Sequence, residues 1–297
     1  MTMDIRRFGN IVFIPGSGGA RYPHCNSLFI DDEVKAVIDP GSDEACLRDL
    51  AAGRRIDVLL DTHYHEDHTA FNHLFADAAL WVHEAEAPCH RSYRTFLEHY
   101  GLAETPYRKE WDEFLIGKFH WRERTPARAL KDGDILDFGR TRAEVIHTPG
   151  HTIGHICLHF ADEGILFLAD YDLTPFGPWY GDYCSGIEQT IHSMNRLLAI
   201  PARVWITGHQ LGIVEEGFEG LAEAYIDAID RREAKLLDAL ESPLSLDEIV
   251  ERWIIYGRQR EPRYFFELGE REMMRKHLER LVASGRVAKK NGRYALA

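Results

Sequence analysis

The amino-acid sequence predicts an α/β protein whose β-sheets are sandwiched between helical layers, with a small module at the C-terminus. Two observations predict the sandwich: short apolar runs separated by turn residues, and helical patterns that follow two such series. A third, Pro243 followed by new helix and hairpin signals, predicts the module. The 297 residues are enough for two domains, residues 1–242 and 243–297.

The first series of apolar runs predicts five strands and two short helices. The strands are bounded by Asn, Asp, Pro and Gly and cover residues 10–15, 26–31, 34–39, 57–61 and 79–83. After Pro40-Gly41, Ser42 is placed to cap a short helix, and residues 69–76 suit a second one.

The pattern changes over residues 84–128, where no strand signature is found. Aromatic residues recur there at loosely helical spacing: Tyr93, Phe96, Tyr100, Tyr107, Trp111, Phe114, Phe119 and Trp121. The segment predicts a helical insertion over one face of the core. Its aromatic character also makes it a candidate interface for a homodimer.

The second series of apolar runs predicts four strands and two longer helices. The strands cover residues 135–138, 143–147, 156–160 and 164–169, and the helices cover 186–199 and 218–241. Apolar residues recur through the last helix at the spacing of a buried face.

The C-terminal module has the order of a winged helix: helix, helix and a two-stranded wing. Ser245 and Glu248 form a capping-box signature at the first helix, and Asn291-Gly292 predicts a type I′ turn in the wing. With 12 Lys and Arg against 8 Asp and Glu, residues 243–297 carry a net charge of +4, which leaves −17 for the rest of the chain.

Composition and charge exclude several classes of protein. The hydrophobic share of 45% and the charged share of 28% are those of a globular protein rather than a disordered chain or a rod. The net charge of −13 argues against a catalytic domain that grips a polyphosphate backbone by charge alone. No apolar run approaches the ~20 residues that span a bilayer, so we expect no membrane partner.

The cysteines and the N-terminus predict a cytoplasmic protein. The five cysteines, Cys25, Cys46, Cys89, Cys157 and Cys184, are scattered and never spaced C-x-x-C. This pattern fits neither a disulfide framework nor a thiolate zinc site. Residues 1–7 do not resemble a secretory signal. We therefore expect free thiols in a reducing compartment.

The most informative segment is a polar loop directly after the strand predicted at 57–61. It carries three imidazoles and a carboxylate within six residues: His63, His65, Asp67 and His68. On an extended strand end His63 and His65 point the same way, while Asp67 and His68 begin the next element. One turn with two adjacent ligand sets is typical of a two-metal centre, whose ions lie ~3.5–4 Å apart. The alternative, a solvated loop whose histidines cap a helix, explains so dense a ligand set less well.

Three further ligand candidates lie at predicted strand ends. His151 follows the sharp Pro149-Gly150 turn, Asp170 ends a buried run, and His209 follows another apolar run. Each of them alone is also explained as a polar group at a strand end. Together, and downstream of the histidine-rich loop, they favour a metal centre.

With these residues, the sequence over roughly residues 8–240 resembles the metallo-β-lactamase superfamily. The matching motifs are His-x-His-x-Asp-His at 63–68, the Thr-Pro-Gly-His-Thr context of His151, Asp170, Gly208-His209 and the early Ile38-Asp-Pro-Gly41 turn. The resemblance implies an αββα sandwich with a dinuclear site at one sheet edge. It is closer to glyoxalase II than to the β-lactamases, and the C-terminal module resembles that of the lactamase-beta-2-like branch, which is linked with RNA cleavage.

The resemblance also implies how the seven candidates would be shared between two ions. The first ion would take His63, His65 and His151. The second would take Asp67, His68 and His209. Asp170 would bridge them. Nitrogen and oxygen donors with imidazole predominant favour Zn²⁺, two per chain, with iron and manganese as alternatives.

The chemistry of such a site is hydrolytic. Two cations that share a water lower its pKa from about 15.7 towards ~7, which gives a hydroxide able to attack an acyl carbonyl or a phosphorus atom. Asp67 is the candidate catalytic residue, because it would both bind metal and accept a proton from the nucleophile. Glu66 lies between the ligands and either supports them or is solvated.

The substrate follows less directly from the sequence, because the fold hosts many reactions. Phe176, Trp179 and Tyr180, just beyond Asp170, are candidates for the wall of an apolar pocket together with the aromatic insertion. The alternative is that the insertion packs into a small core of its own. No basic cluster accompanies the motif loop to seat glutathione or a phosphate chain. We expect a metal-dependent hydrolase of a small ester, thioester or lactone.

Two other functions remain open. One is a metal-dependent endoribonuclease, in which the basic C-terminal module and its wing residues Lys289, Lys290 and Arg293 would steer RNA; a wing that only packs is the alternative. The other is a mononuclear iron enzyme that resembles persulfide dioxygenases. A metal content of two ions per chain would exclude the second.

Overall fold

Two mixed β-sheets face each other in the computed structural model, which describes residues 5–297. Residues 1–4 lie outside the described residues. The predicted first domain and the N-terminal segment considered for a secretory signal both begin with them. The first sheet has seven strands in chain order: β1 (Arg6–Phe8), β2 (Ile11–Ile14), β3 (Ser27–Ile30), β4 (Ala36–Ile38), β5 (Val58–Leu60), β6 (Ala79–His83) and β7 (Arg128–Leu130). Strands β1 to β4 pair antiparallel, and β4 to β7 pair parallel.

The second sheet has six strands: β8 (Ile135–Asp137), β9 (Arg142–His147), β10 (Ile156–Phe160), β11 (Ile165–Ala169), β12 (Val204–Thr207) and β13 (Ile213–Val214). Their spatial order is the reverse of the chain order, with β13 and β8 at the edges. Only β11 and β12 pair parallel within this sheet, and the other neighbours pair antiparallel.

The main core between the sheets follows from the two-residue period of the strands. In β2, Ile11 and Phe13 pack between the sheets, while Val12 and Ile14 pack into a second cluster on the outer face. Strand β11 alternates in the same way between the main core and its own outer cluster. Burial on both faces explains why these strands are nearly continuous apolar runs.

Helices cover both outer faces. Helix α2 (Glu44–Gly53) and a 3₁₀ turn (Asn72–Phe75) pack on the first sheet, and α7 (Ile187–Leu198) and α8 (Phe218–Ala239) pack on the second. Two single-turn helices, α1 (Ser17–Ala20) and α3 (Glu66–Thr69), lie in the loops after β2 and β5. The prediction that Ser42 caps α2 is wrong, because the side chain of Asp43 accepts the hydrogen bond from the Cys46 amide.

The predicted insertion is helical. It contains α4 (Ala87–Arg91), α5 (Tyr93–Tyr100), α6 (Arg108–Asp112) and a π-helical turn (Glu113–Lys118). Its aromatic side chains do not form an isolated core, because Tyr64 of the motif loop and Phe265 of the C-terminal segment belong to the same cluster.

The C-terminal segment, residues 243–297, contains α9 (Leu246–Val250), α10 (Arg263–Ala283) and a sheet of β14 (Leu244–Ser245), β15 (Val287–Lys290) and β16 (Arg293–Leu296). The capping box of Ser245 and Glu248 is confirmed. Asn291 and Gly292 have φ of 50° and 76°, as a type I′ turn requires. Apolar residues of α10 share one cluster with α8 and Tyr180, so the segment packs directly on the rest of the chain.

The strands and long helices that were predicted are confirmed to within two residues at each end. The helix predicted at 69–76 is wrong: α3 ends at Thr69, and only a 3₁₀ turn follows. The short strands β1, β7, β13 and β14 were not predicted, because each contains only one or two apolar residues, too few to form a recognisable apolar run. Within residues 5–297, every helix lacks the combination of length and hydropathy that crossing a lipid bilayer requires.

Candidate metal centre

The candidate ligands meet because the strands before them end at one edge of the sandwich. Strands β9, β11 and β12 run in the same direction, since β9 and β11 are both antiparallel to β10 and β12 is parallel to β11. His151, Asp170 and His209 follow the ends of these strands. The motif loop after β5 reaches the same edge, where the Thr62 carbonyl accepts a hydrogen bond from the Ile156 amide of the second sheet at 3.1 Å.

The first donor group consists of His63, His65, His151 and Asp170, whose ligand atoms all lie within 4.8 Å of one another. His151 Nε2 lies 2.9 Å from His65 Nδ1 and 3.1 Å from Asp170 Oδ2. His63 Nε2 lies 3.8 Å from the same Asp170 oxygen. Donors around a tetrahedral zinc ion lie about 3.4 Å apart, so these separations fit one ion among the four residues.

The second donor group consists of Asp67, His68 and His209. His209 Nε2 lies 3.2 Å from His68 Nε2 and 3.3 Å from Asp67 Oδ2. Asp170 presents its other oxygen to this group, with Oδ1 2.7 Å from His68 Nε2 and 3.4 Å from His209 Nε2. The two oxygens of Asp170 therefore face two different groups, which is the arrangement of a bridging carboxylate.

Each of the five imidazoles is also held by its other ring nitrogen. The partners are Thr62 Oγ1 for His63, Asp182 Oδ2 for His65, Asp39 Oδ2 for His68, the Trp179 carbonyl for His151, and the Ala20 and His24 carbonyls for His209, at 2.9–3.0 Å. Such partners fix the tautomer and ring orientation of a metal ligand. The buried Nε2 of His63 has no hydrogen-bond partner within residues 5–297. This is expected of a nitrogen atom that is available to bind a metal. The donor set thus fits two divalent ions.

The electrostatics of the cluster favour the ligand forms of Asp170, Asp67 and His63. Burial opposes ionisation of Asp170, but the imidazoles of His68 and His209 outweigh burial and hold the pKa of Asp170 well below its usual range. Burial also opposes ionisation of Asp67, and the hydrogen bond from His209 outweighs it and lowers the pKa of Asp67. Burial, reinforced by His68, lowers the pKa of His63 well below its ordinary value. Ionised carboxylates and neutral imidazoles are the forms that bind metals.

For His65, His68 and His209 the balance is different. Burial opposes protonation, but Asp182 beside His65 and Asp170 beside the other two outweigh it and raise the pKa of each imidazole. A metal ion would therefore have to displace a proton there.

Two glycines allow the loops of the centre to approach closely. A Cβ on Gly41 would overlap the carbonyl oxygen of Asp67, so the Pro40-Gly41 turn fits against the motif loop only without a side chain. A Cβ on Gly208 would lie 2.8 Å from Asp170 Oδ1. Both positions therefore require glycine for steric reasons.

The three aromatic residues predicted to wall the substrate pocket lie in different places. The ring of Trp179 is at the centre, 5.2 Å from the ring of His65 and 5.5 Å from that of His151. Phe176 packs on Tyr256 instead. The prediction for Tyr180 needs correction: its side chain is fully buried in the C-terminal cluster, where it forms hydrogen bonds with His277 and Arg232.

Glu66 is buried beside the ligands, so the solvated alternative for this residue is wrong. Only 1% of its surface is exposed, and its Oε1 accepts hydrogen bonds from the hydroxyls of Tyr22 at 2.7 Å and Tyr100 at 3.4 Å. Burial raises the pKa of Glu66 to about 7. With Trp179, Tyr22 and Tyr100 surround this side of the centre with aromatic rings.

Two acidic residues that hold the candidate ligands and their loops were not predicted from the sequence. Asp182 orients His65 and also accepts a hydrogen bond from the Tyr64 hydroxyl. Glu86 accepts hydrogen bonds from the backbone amides of Tyr64 at 2.9 Å and Gly154 at 2.6 Å, and so ties the motif loop to the loop of His151. Acidic residues in loops are ordinarily solvated, so only the folded structure distinguishes these two.

Comparisons with known proteins agree with this geometry. A family model described as the metallo-beta-lactamase superfamily matches residues 21–237. The hydroxyacylglutathione hydrolase of Gloeobacter violaceus is 33% identical over 191 residues, which cover 61% of this chain and 62% of that protein. The acyl-coenzyme A thioesterase of Homo sapiens is 32% identical over 154 residues, 49% of this chain and 54% of that protein. The chain thus spans about 60% of the length of the first curated relatives it matches, with 62%, 58% and 60% covered.

The fold is also similar to solved structures. A metallo-beta-lactamase family protein from Thermus thermophilus has a TM-score of 0.73 at 23% sequence identity, with 97% of this chain and 99% of that chain covered. A beta-lactamase domain protein from Burkholderia ambifaria has a TM-score of 0.72 at 19% identity, with 99% and 94% covered. The match of the family model over most of the chain shows that this protein belongs to the metallo-β-lactamase superfamily.

Proposed function

We propose that the protein is a metal-dependent thioester hydrolase with a dinuclear centre. The observation that carries the proposal is the pair of donor groups that share Asp170, one oxygen towards each group. The first ion is assigned to His63, His65 and His151. The second is assigned to Asp67, His68 and His209. Zn²⁺ suits these donors first, with iron and manganese as alternatives.

Bound divalent ions would supply Lewis acidity and a water whose pKa is lowered towards ~7. The chain's own residues provide the rest. Asp67, assigned as the catalytic residue, holds an ionised carboxylate against His209 at 3.3 Å and is placed to orient a nucleophile and accept its proton. The burial of the ligands, all below 10% exposed, limits the competing solvent around the reacting atoms.

Two observations support a thioester among the acyl substrates. The relatives with about one third identity are named as hydrolases of acylglutathione and acyl-coenzyme A, and both of these are thioesters. The rings of Trp179 and Tyr22 remain partly exposed beside His65 and Glu66 and provide an apolar surface for an acyl group, with the buried ring of Tyr100 packed behind them.

The endoribonuclease alternative gains no support from the C-terminal segment. Much of its positive charge is paired with carboxylates: Arg271 with Asp247, Arg275 with Glu272, Arg280 and Arg286 with Glu233, and Arg293 with Glu248. Paired guanidinium groups attract a phosphate backbone less than a free basic face would. We propose that a domain boundary lies at residue 243 and that residues 243–297 form a winged-helix-like domain.

The test compares four substrates on the zinc-reconstituted protein: an acylglutathione, an acyl-coenzyme A, a p-nitrophenyl ester and a lactone. Release of free thiol, or of the corresponding product, measures hydrolysis. We expect at least one thioester to be the preferred substrate, with activity lost on chelation. Asp67→Ala should lower kcat by about 10²–10⁴-fold. Hydrolysis of the ester or lactone alone, or full activity in Asp67→Ala, would contradict the proposal.

A further inference from the structure

One loop supplies the orienting acceptors for two ligands of the first donor group. Residues 171–186, here named the orienting loop, connect β11 to α7. The carbonyl of Trp179 accepts a hydrogen bond from His151 Nδ1 at 3.0 Å. Asp182 Oδ2 lies 3.0 Å from His65 Nε2. The positions of the His65 and His151 rings therefore depend on how this loop is held.

The C-terminal segment holds the orienting loop at three consecutive contact points. Tyr256 accepts a hydrogen bond from the indole of Trp179 at 3.1 Å. His277 Nε2 lies 2.8 Å from the hydroxyl of Tyr180. Lys276 donates to the backbone carbonyl of Asp182 at 2.6 Å. We name Tyr256, Lys276 and His277 the C-terminal clamp.

The clamp is a buried structure rather than a surface contact. Lys276 is 8% exposed and His277 is 0% exposed, and both lie on α10, which packs against α8. Burying an ammonium group is costly unless its position is fixed by hydrogen bonds. The Lys276 ammonium has the Asp182 carbonyl as its close partner, with Glu272 4.0 Å away. The helix thus places this charge specifically behind the residue that orients His65.

The imidazoles of the second donor group are oriented by a different part of the chain. Within residues 5–297, the orienting loop reaches this group only through Asp172, whose Oδ1 accepts a hydrogen bond from the backbone amide of His209 at 3.1 Å. His68 is held by the Asp39 carboxylate at 2.9 Å, and His209 is held by the carbonyls of Ala20 and His24 at 3.0 Å. These partners lie before β5, far in sequence from the clamp. Neither the orienting loop nor the C-terminal segment supplies an acceptor to these two imidazoles among the described residues.

We infer that the C-terminal clamp selectively sets the metal affinity of the first donor group. Lys276 and Tyr256 are positioning residues: they touch neither a ligand nor substrate, and they act through Asp182 and Trp179. The C-terminal segment is thereby a structural part of the metal centre. This inference rests on the proposed assignment of metal ions to the two groups, and it does not depend on the substrate.

The test measures zinc affinity in two backgrounds that each retain one donor group of the full-length protein. His209→Ala disables the second group, and His151→Ala disables the first. Lys276→Met is introduced into both, and zinc is titrated against a chromophoric chelator. We expect the zinc Kd to rise about 10–100-fold in the His209→Ala background. In the His151→Ala background we expect a change of about twofold or less.

Matched controls separate the clamp from general destabilisation. Lys289→Met makes the same substitution on the exposed wing, and Tyr264→Phe removes a hydroxyl elsewhere on α10; neither should change either affinity. Tyr256→Phe keeps the shape of the clamp and removes one hydrogen bond, so it remains informative if Lys276→Met does not fold. It should raise the Kd of the first group about fivefold.

The inference would be overturned if Lys276→Met lowered the zinc affinity of both donor groups equally. It would also be overturned if neither Lys276→Met nor Tyr256→Phe changed the zinc affinity of the first group. Failure of the unmodified chain to bind zinc would instead contradict the proposed function. Normal zinc binding without thioester hydrolysis would leave the clamp intact and overturn only the substrate assignment.

Discussion

The carboxylate of Asp39 holds the imidazole of His68, with Oδ2 and Nδ1 2.9 Å apart. The same carboxylate accepts hydrogen bonds from the hydroxyl and amide of Thr62 at 2.7 and 2.8 Å, and the Thr62 hydroxyl is 3.0 Å from His63 Nδ1. One buried acidic residue thus orients a ligand of each donor group, His68 directly and His63 through Thr62.

Replacing Asp39 should therefore weaken the binding of zinc at both donor groups rather than at one. We expect Asp39→Ala to raise the zinc Kd of each donor group about 10–100-fold, because the rings of His63 and His68 lose their orienting partner. Chelator competition measures both affinities. Asp49→Ala, on the exposed face of α2, is the control. An unchanged affinity in either group would show that Asp39 does not orient that group.

Gly41 should not tolerate even a methyl group. The Cβ of Gly41→Ala would overlap the Asp67 carbonyl, and that carbonyl belongs to the backbone of a ligand loop. We expect zinc binding by the second donor group to fall at least tenfold, since displacement of Asp67 by a few tenths of an ångström spoils ligand geometry. Gly53→Ala is the control, because its Cβ would meet no atom within 4 Å. Wild-type zinc binding by Gly41→Ala would contradict the close approach.

The sandwich core should be sensitive at its centre. Phe167 is fully buried between the two sheets, so Phe167→Ala removes a large side chain that its neighbours cannot replace. We expect a loss of about 3–5 kcal/mol in the free energy of unfolding, measured by urea denaturation. Ile135→Ala, 54% exposed in β8, should cost far less. Similar losses for both variants would mean that Phe167 is not a core residue.

His83 should make stability depend on pH in the acid range. Its side chain is buried against His147, and its Nδ1 accepts a hydrogen bond from the Ala85 amide at 3.3 Å. Burial, with His147 adding to it, lowers the pKa of His83 from 6.5 to about 4. Between these two values the unfolded chain binds a proton that the folded chain does not, so stability falls as the pH falls from 6.5 through 4.

The measurement is the free energy of unfolding at pH 7 and pH 4, with chelator present so that metal release does not contribute. Because polar groups such as Glu84 and Asp132 lie nearby, we expect His83 to account for about 1–2 kcal/mol of the loss. His83→Gln should lose correspondingly less stability over this range. A variant that loses as much as the unmodified protein would exclude His83 as the cause.

The candidate ligands were predictable because each carries a local signal. His63, His65 and His68 are crowded into one loop, and Asp170 ends a buried apolar run, so a polar side chain must emerge there. That the two oxygens of Asp170 face different donor groups is a property of the folded chain. Sequence spacing gives no information about which oxygen faces which ion.

The orienting residues were not predictable, because they act across long separations in sequence. Lys276 lies 94 residues from Asp182, and Asp182 lies 117 residues from His65. The pattern of the C-terminal segment indicates a separate module, and nothing in it predicts the contacts of Tyr256, Lys276 and His277 with residues 179–182. The burial of Tyr180 was not predictable for the same reason: it lies in a loop outside any helix or strand, and it is buried because it packs in one cluster with residues of α8 and α10.

The metal content of the zinc-reconstituted protein tests the dinuclear centre most directly. Elemental analysis after removal of loosely bound metal should give about two ions per chain for the unmodified protein and about one for His209→Ala. A content that stays at one ion per chain in the unmodified protein, at saturating zinc, would contradict a pair of ions shared across Asp170.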